Sequence, residues 1–163
     1  MSPQSGVSII IEVLKSVSAS DIREAAGCVC LALLTPIHSC LKGILRIFSA
    51  HFDALAHDND ATSKNIHKIE EVSNGSDGAT PNPVLLYGTQ SVQKFNSKTT
   101  DEVRILLALF RVKDKNIDLV MTMNVPMTSA DGGAVSESDW TAAKGVFDIA
   151  AKSLRIVDYG LFE

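Results

Sequence analysis

The clearest pattern of hydrophobic and polar positions lies between Val103 and Pro126, where two apolar runs are separated by Lys-Asp-Lys-Asn. Two such runs joined by a short polar segment are typical of a β-hairpin. In the first run both alternating rows are mostly apolar, which predicts a strand covered on both faces. The second run has an apolar row at Leu119, Met121, Met123 and Val125. Its opposite row is polar at Asp118, Thr122 and Asn124, so we expect that face to be partly wet.

Shorter patterns on either side of this hairpin predict the remaining elements. Residues 7–14 are rich in β-branched side chains and predict a buried strand, and residues 18–26 begin like a helix. Residues 63–72 predict a half-exposed strand and residues 84–95 a strand bent at Gly88. A last helix is predicted to begin between Ser136 and Asp139. Its apolar face consists of Trp140, Ala143, Val146, Phe147, Ala150, Ala151 and Leu154. A short extended tail is expected after it.

This order of elements predicts an α+β fold, with an antiparallel β-sheet flanked by helices. The chain has 163 residues, 45% of them apolar, which suits a single domain with a sizeable core. The net charge of −4 argues against nucleic-acid binding, because that function favours a basic surface. The three cysteines and the lack of a secretory pattern at the first residues predict reduced thiols in an intracellular protein.

The segment from Gly27 to Ala50 differs in character from its surroundings. Residues 28–34 are almost wholly apolar, but the run is too short to cross a bilayer, which needs about 20 residues. Residues 37–48 have the spacing of an amphipathic helix. Such a helix could lie on a membrane surface, or the segment could be a packed or poorly placed hydrophobic insert. We interpret it as an insert and do not expect membrane association.

Candidate chemistry is sparse. Cys28-x-Cys30 and His38-x-Cys40 have gaps of one residue, whereas structural zinc sites use two to four, so we interpret these cysteines as small apolar residues. A polar cluster of His51, Asp53, His57, Asp58 and Asp60 is interpreted as solvated surface. No phosphate-binding glycine motif occurs. We therefore expect no cofactor, no metal and no covalent catalysis.

Two residues of the second hairpin arm remain candidates for function. The structural interpretation of Asp118 is pairing with Lys113 or Lys115 across the turn. For Asn124 it is hydrogen bonding to backbone groups where Pro126 leaves the ladder.

Several motifs resemble the Ran guanine-nucleotide release factor family, the Mog family of nuclear-import factors. They are Leu106-Leu-Ala-Leu-Phe-Arg-Val, Asp118-Leu-Val-Met-Thr-Met-Asn-Val-Pro, Leu154-x-x-x-Asp-x-x-Leu-Phe and Ser8-Ile-Ile-Ile-Glu-Val-Leu. The resemblance covers residues 7–26 and 51–163. It implies a Mog-like or PsbP-like α/β/α sandwich.

The resemblance also implies a function. The chain would bind the small GTPase Ran, promote nucleotide release from its GTP form and support nuclear import, as a monomer in the nucleus and cytoplasm. Glu12 matches an acidic position of the family's Ran-facing surface, and Asp118 and Asn124 are the other partner-binding candidates. Lys15 stands where members usually carry an acidic residue. The alternatives are an adaptor or scaffold of PsbP-like fold and a membrane-surface protein using residues 37–48.

Two departures from the family pattern shape these expectations. The family's glycine-rich hairpin and acidic segment before residues 7–14 have no counterpart, and residues 27–50 match nothing in the family. We expect one domain over residues 1–163 with an insert at about 27–50, as in a variant transcript. If the sheet forms without the family's first strands, we expect an exposed edge that favours aggregation.

Overall fold

The computed structural model describes residues 6–16, 36–75, 78, 80–93, 99–129 and 132–162, and for residues 36–46 only the backbone. Within these residues the strands are β1 (Ser8–Lys15), β2 (Ala61–Glu71), β3 (Val84–Gln93), β4 (Thr100–Val112) and β5 (Ile117–Pro126). The α-helices are α1 (Pro36–Asp58) and α2 (Glu137–Ser153), and short 3-10 turns cover Lys113–Lys115 and Tyr159–Phe162. The helix predicted over residues 18–26 lies outside the described residues.

The five described strands form one antiparallel sheet in the order β1-β5-β4-β3-β2. Strands β4 and β5 are the predicted hairpin, with pairs running from Val103 and Pro126 to Val112 and Ile117. The turn closes through Asn116, whose φ of 53° is in the left-handed region that asparagine tolerates well. The hairpin prediction is confirmed.

The helices lie on opposite faces of the sheet, which confirms the predicted α+β fold with an α/β/α arrangement. On one face α2 contributes Phe147 and Ala151 to a core with the apolar rows of β4 and β5. On the other face α1 contributes Phe48 and Phe52 to a core with Leu86, Leu107 and Val120. Burying both faces explains why Ile105–Phe110 of β4 are apolar at every position.

Helix α1 corrects one prediction and bears on another. The polar row of β5 is not wet, because α1 covers it and leaves Asp118 at 0% and Thr122 at 5% exposure. The helix also runs without interruption across residue 50. The insert expected at about 27–50 stays a prediction. Phe48, inside the expected insert, is fully buried in the core, so this part of the segment is well packed.

Strand β1 lies where residues 7–14 predicted a strand, but it is not buried. Ile9, Ile10, Ile11 and Val13 are 43–57% exposed. The cause is position, because β1 pairs with β5 at one edge of the described sheet, and the buried strand residues of both cores come from β3, β4 and β5.

Helix α2 begins as predicted. The hydroxyl of Ser136 accepts a hydrogen bond from the backbone N–H of Asp139 and caps the first turn. Val146 was wrongly assigned to the buried face and is 57% exposed, because it lies at the margin of the apolar stripe that Phe147 centres. The tail was predicted to be extended, whereas Tyr159–Phe162 form a 3-10 turn.

Candidate functional site

The three predicted site residues share one face of the sheet. In the β1–β5 register, Glu12 lies opposite Val120, Leu14 opposite Asp118, and Ser8 opposite Asn124. Residues opposite each other in a sheet point to the same side, and Val120 packs in the α1 core. Asp118 and Asn124 are nonetheless six residues apart, which is about 20 Å along a strand. The three residues are therefore spread along the strands on the α1 side and do not form one compact site.

Asp118 is the most firmly held of the three. Nε and Nη2 of Arg111 donate to its two carboxylate oxygens at 2.8 and 2.7 Å. Nε2 of His51 lies 3.2 Å from Oδ2, and the hydroxyl of Ser16 donates to Oδ1 at 3.4 Å. One carboxylate thus links β4, β5, α1 and the residue that follows β1.

The electrostatics of Asp118 follow from this geometry. Burial would raise the pKa of its carboxyl, but hydrogen bonds from Arg111 and His51, together with their charges, outweigh burial and lower the pKa to about 2. The predicted pairing with Lys113 or Lys115 is wrong, because the register places Arg111 directly opposite Asp118. The interpretation of His51 as solvated surface is also wrong, since it is 8% exposed.

Glu12 differs from Asp118 in accessibility. It lies in the middle of β1 with an exposed side chain, three residues before Lys15, which is also exposed. Its carboxylate can therefore meet a partner without a rearrangement of the fold. Asp118, at 0% exposure, cannot make such a contact.

Asn124 lies at the opposite end of β5, beside a groove of about 280 Å³. The groove is lined by Gly6, Asn59, Val92, Asp101, Val103, Asn124, Pro126, Ser129, Gly132 and Gly133. Among the described residues, Oδ1 of Asn124 is buried and has no hydrogen-bond partner, so the expected backbone contact is not made by this atom. At this end of β5 the backbone groups are satisfied by other backbone groups. The N–H of Met127 donates to the carbonyl oxygen of Glu102, and the N–H of Val135 donates to that of Pro126, each at 2.8 Å.

Sequence reasoning missed a second groove, of about 580 Å³, between α2 and the outer strands. The guanidinium carbon of Arg104 lies 5.0 Å from the ring centre of Trp140, and Nζ of Lys144 lies 4.5 Å from that of Tyr87. Lys144 donates to Asp148 at 2.8 Å, a spacing of four residues that is visible in the sequence. The two cation–aromatic contacts depend on how α2 packs against the strands, so they could not be predicted from the sequence.

The hydroxyl of Tyr87 also donates to Asp148, at 2.8 Å. Burial and this hydrogen bond raise the pKa of Tyr87, which keeps the phenol protonated. Across the groove, Arg104 donates to both oxygens of Glu137 and lowers the pKa of that carboxyl. Both cations are therefore paired with carboxylates. The Arg104–Glu137 and Tyr87–Asp148 hydrogen bonds join α2 to the sheet.

The described residues contain no group of three or more His, Cys, Asp or Glu side chains that could hold a metal ion. Cys28 and Cys30, and the side chains of His38 and Cys40, lie outside what the structure describes. In the described part of the chain, neither helix combines the length and apolar composition needed to cross a membrane.

The fold and site define an α+β sandwich domain with an accessible carboxylate on one edge strand and a buried charge cluster on the neighbouring strand. Comparison with known proteins identifies the family. The family model described as "Ran-interacting Mog1 protein" matches residues 1–126, and this chain belongs to that family. The resemblance seen in the hairpin and β1 motifs is thereby confirmed.

One curated relative supports this assignment, and solved structures were compared for the fold. The chain is 30% identical over 122 residues to a Ran guanine nucleotide release factor of Danio rerio, a match that covers 69% of this chain and 66% of that protein. A solved structure of a mutant of protein Mog1 has a TM-score of 0.55 at 19% identity, covering 96% of this chain and 71% of its own, and shows the shared fold. The Saccharomyces cerevisiae Ran-binding protein Mog1p has a TM-score of 0.46 at 19% identity, with coverages of 91% and 57%.

Proposed function

We propose that this chain binds the small GTPase Ran and promotes release of its guanine nucleotide, in support of nuclear protein import. The carrying observation is membership of the Ran-interacting Mog1 family, supported by the similarity to a protein named Ran guanine nucleotide release factor. The proposal places the chain in the nucleus and cytoplasm.

The proposed mechanism is differential binding without covalent chemistry. A binder that favours nucleotide-free Ran over nucleotide-loaded Ran must, by linkage, weaken nucleotide binding by the same factor. Carboxylates at the contact would compete for the basic and metal-bound groups that hold the nucleotide phosphates. Glu12 suits this role, because its side chain is exposed on β1.

Asp118 takes a different part in the proposal. With its side chain fully buried and bonded to Arg111 and His51, it fixes the end of the hairpin against α1. We assign it as a positioning residue on the strand next to β1. Asn124 borders the groove at the far end of β5 and marks the limit of the proposed surface.

Release of a fluorescent guanine nucleotide from Ran, measured at increasing concentrations of this chain, tests the proposal. The matched variants are Glu12→Gln on β1 and Glu71→Gln at the exposed end of β2, on the opposite sheet edge. We expect Glu12→Gln to slow catalysed release about fivefold, because loss of an exposed interface charge costs about 1 kcal/mol. Glu71→Gln should leave release unchanged.

The alternative is an adaptor of PsbP-like fold without activity on a GTPase. One observation favours it: the matched segment spans 66% of the Danio rerio relative's own length. A folded, soluble sample that leaves nucleotide release from Ran unaccelerated at every concentration would decide for the adaptor. If the two glutamine variants had equal effects, the role assigned to Glu12 would be contradicted, but the release activity would not.

A further inference from the structure

The segment between β2 and β3 is hydrogen-bonded to the C-terminal end of α2. The backbone N–H of Gly75 donates to the carbonyl oxygen of Lys152 at 2.9 Å. Nδ2 of Asn74 donates to the carbonyl oxygen of Leu154, the residue that ends the helix, at 3.0 Å. The last carbonyl groups of a helix have no partner within the helix, so donors from another segment stabilise its end.

The same segment also holds the residues that follow α2. The backbone N–H of Ile156 donates to the hydroxyl oxygen of Thr80 at 2.8 Å. Leu154 and Ile156 pack against the core on this side of the sheet, and Asn74 is 9% exposed. We call the hydrogen bonds that run from the β2–β3 segment to the end of α2 and to Ile156 the loop–helix contact.

Asn74 and Gly75 also form a chemically reactive pair. In the sequence, Asn74 is the one asparagine that glycine follows. Glycine has no Cβ to shield its nitrogen and few limits on its backbone angles, so this nitrogen can reach the preceding carboxamide carbon. Attack of the Gly75 nitrogen on Cγ of Asn74 closes a succinimide ring, and the side-chain amide group leaves with the proton of that nitrogen as ammonia. Water then opens the ring to aspartate or isoaspartate.

We propose that Asn74 is a deamidation site that the loop–helix contact keeps unreactive, and that deamidation breaks this contact. The hydrogen bond to Lys152 holds the proton that the Gly75 nitrogen must lose, and the hydrogen bond to Leu154 fixes the carboxamide. Reaction therefore requires local opening. The product carboxylate lacks the N–H donor and would place an oxygen against the carbonyl oxygen of Leu154. The inference does not depend on the proposed activity on Ran.

The first test is the rate of deamidation of the full chain at neutral pH, followed by mass spectrometry of the peptide that contains residues 74–75. We expect deamidation to be at least about tenfold slower in the folded chain than in urea, because reaction must wait for opening. Thr80→Val removes the acceptor of the Ile156 N–H and should speed deamidation of the folded chain at least about threefold. The matched control, Thr141→Val, removes a hydroxyl that donates to the carbonyl oxygen of Glu137 within α2, and it should leave the rate unchanged.

A second test addresses the product. Asn74→Asp introduces the carboxylate directly and should raise hydrogen exchange of the backbone N–H groups of residues 154–158 at least about tenfold. Asn82→Asp is the matched control. Oδ1 of Asn82 accepts a hydrogen bond from the N–H of Asn74 at 3.0 Å, and a carboxylate oxygen can accept the same bond. Asn82→Asp should therefore leave the exchange unchanged. Circular dichroism checks that the variants fold.

A third variant tests the chemical route. A Cβ added at Gly75 would lie 3.7 Å from the carbonyl oxygen of Lys152, an ordinary contact, so Gly75→Ala keeps the loop–helix contact. It should slow deamidation in urea, because the methyl group shields the attacking nitrogen. Equal deamidation of the folded and unfolded chains, equal rates in the two valine variants, equal exchange in the two aspartate variants, or no effect of Gly75→Ala in urea would each overturn the proposal.

Discussion

Strands β1 and β4 have similar apolar sequences and opposite environments. In β4, Ile105–Phe110 are at most 4% exposed, whereas in β1 Ile9, Ile10 and Ile11 are 43–57% exposed. Both strands have apolar side chains on both faces, so composition does not separate them. The difference is that β4 has β3 and β5 as neighbours and a helix over each face, whereas β1 pairs with β5 alone among the strands that the structure describes.

This comparison divides the molecule by role. The interior strands bury most of the apolar surface and so supply most of the stability. The β1 edge contributes accessible groups, among them Glu12, and it can meet a partner without loss of core packing. The charge cluster at Asp118 lies at the boundary, because it joins the interior hairpin to the residue that follows β1.

The comparison is tested most strongly by the same truncation in both strands. Leu107→Ala removes a fully packed side chain of β4 and should lower the free energy of unfolding by about 3–4 kcal/mol, from lost burial and a residual cavity. Ile11→Ala removes a side chain that is 57% exposed and should cost less than about 1 kcal/mol. Urea unfolding at low protein concentration measures both. Equal losses would show that the edge is packed as firmly as the interior.

A second prediction concerns the charge cluster at Asp118. Asp118→Asn should destabilise the fold by about 3 kcal/mol, because it leaves the Arg111 guanidinium facing a neutral group at a buried position. Asp114→Asn in the exposed turn is the matched control and should change stability by less than about 0.5 kcal/mol. Thermal or urea unfolding at neutral pH compares the two variants.

The stability contributed by Asp118 should depend on pH in a defined direction. The folded-state pKa of Asp118 is about 2, below the value of about 3.9 expected in the unfolded chain. Its ionisation therefore stabilises the fold fully above pH 4 and less as the pH falls towards 2. We expect the stability difference between the unmodified chain and Asp118→Asn to shrink over this window. A constant difference would show that the charge of Asp118 is not what stabilises the cluster.

Local features could be predicted from the sequence because short segments determine them. The hairpin follows from the alternation around Lys113–Asn116, and the start of α2 follows from the capping residue Ser136. The family could be predicted for the same reason, since its motifs lie within single elements.

Features that depend on distant elements could not be predicted. His51 and Asp118 are 67 residues apart, and nothing local indicates that α1 packs over the start of β5. Arg111 was visible as a neighbour of the turn, but its pairing depends on a register that places it opposite Asp118. The exposure of β1 was also hidden, because its β-branched sequence is the same one that a central strand would have.

The smallest predicted effect on stability tests the close packing of the interior strands at one position, Gly88. A Cβ added at Gly88 of β3 would lie 2.7 Å from Cζ of Phe52 and 2.8 Å from the backbone oxygen of Asn65. The backbone oxygen cannot yield as a flexible side chain would, so Gly88→Ala should destabilise the fold by about 2 kcal/mol.

A Cβ added at Gly145 of α2 would meet nothing within 4 Å apart from its chain neighbours and the nearby backbone of its own helix. Gly145→Ala should therefore stabilise the fold by about 0.5–1 kcal/mol through helix propensity. Thermal unfolding should therefore shift in opposite directions for the two substitutions. If Gly88→Ala were neutral, α1 would have room to move away from β3, and the close packing that distinguishes the interior from the β1 edge would not hold at this position.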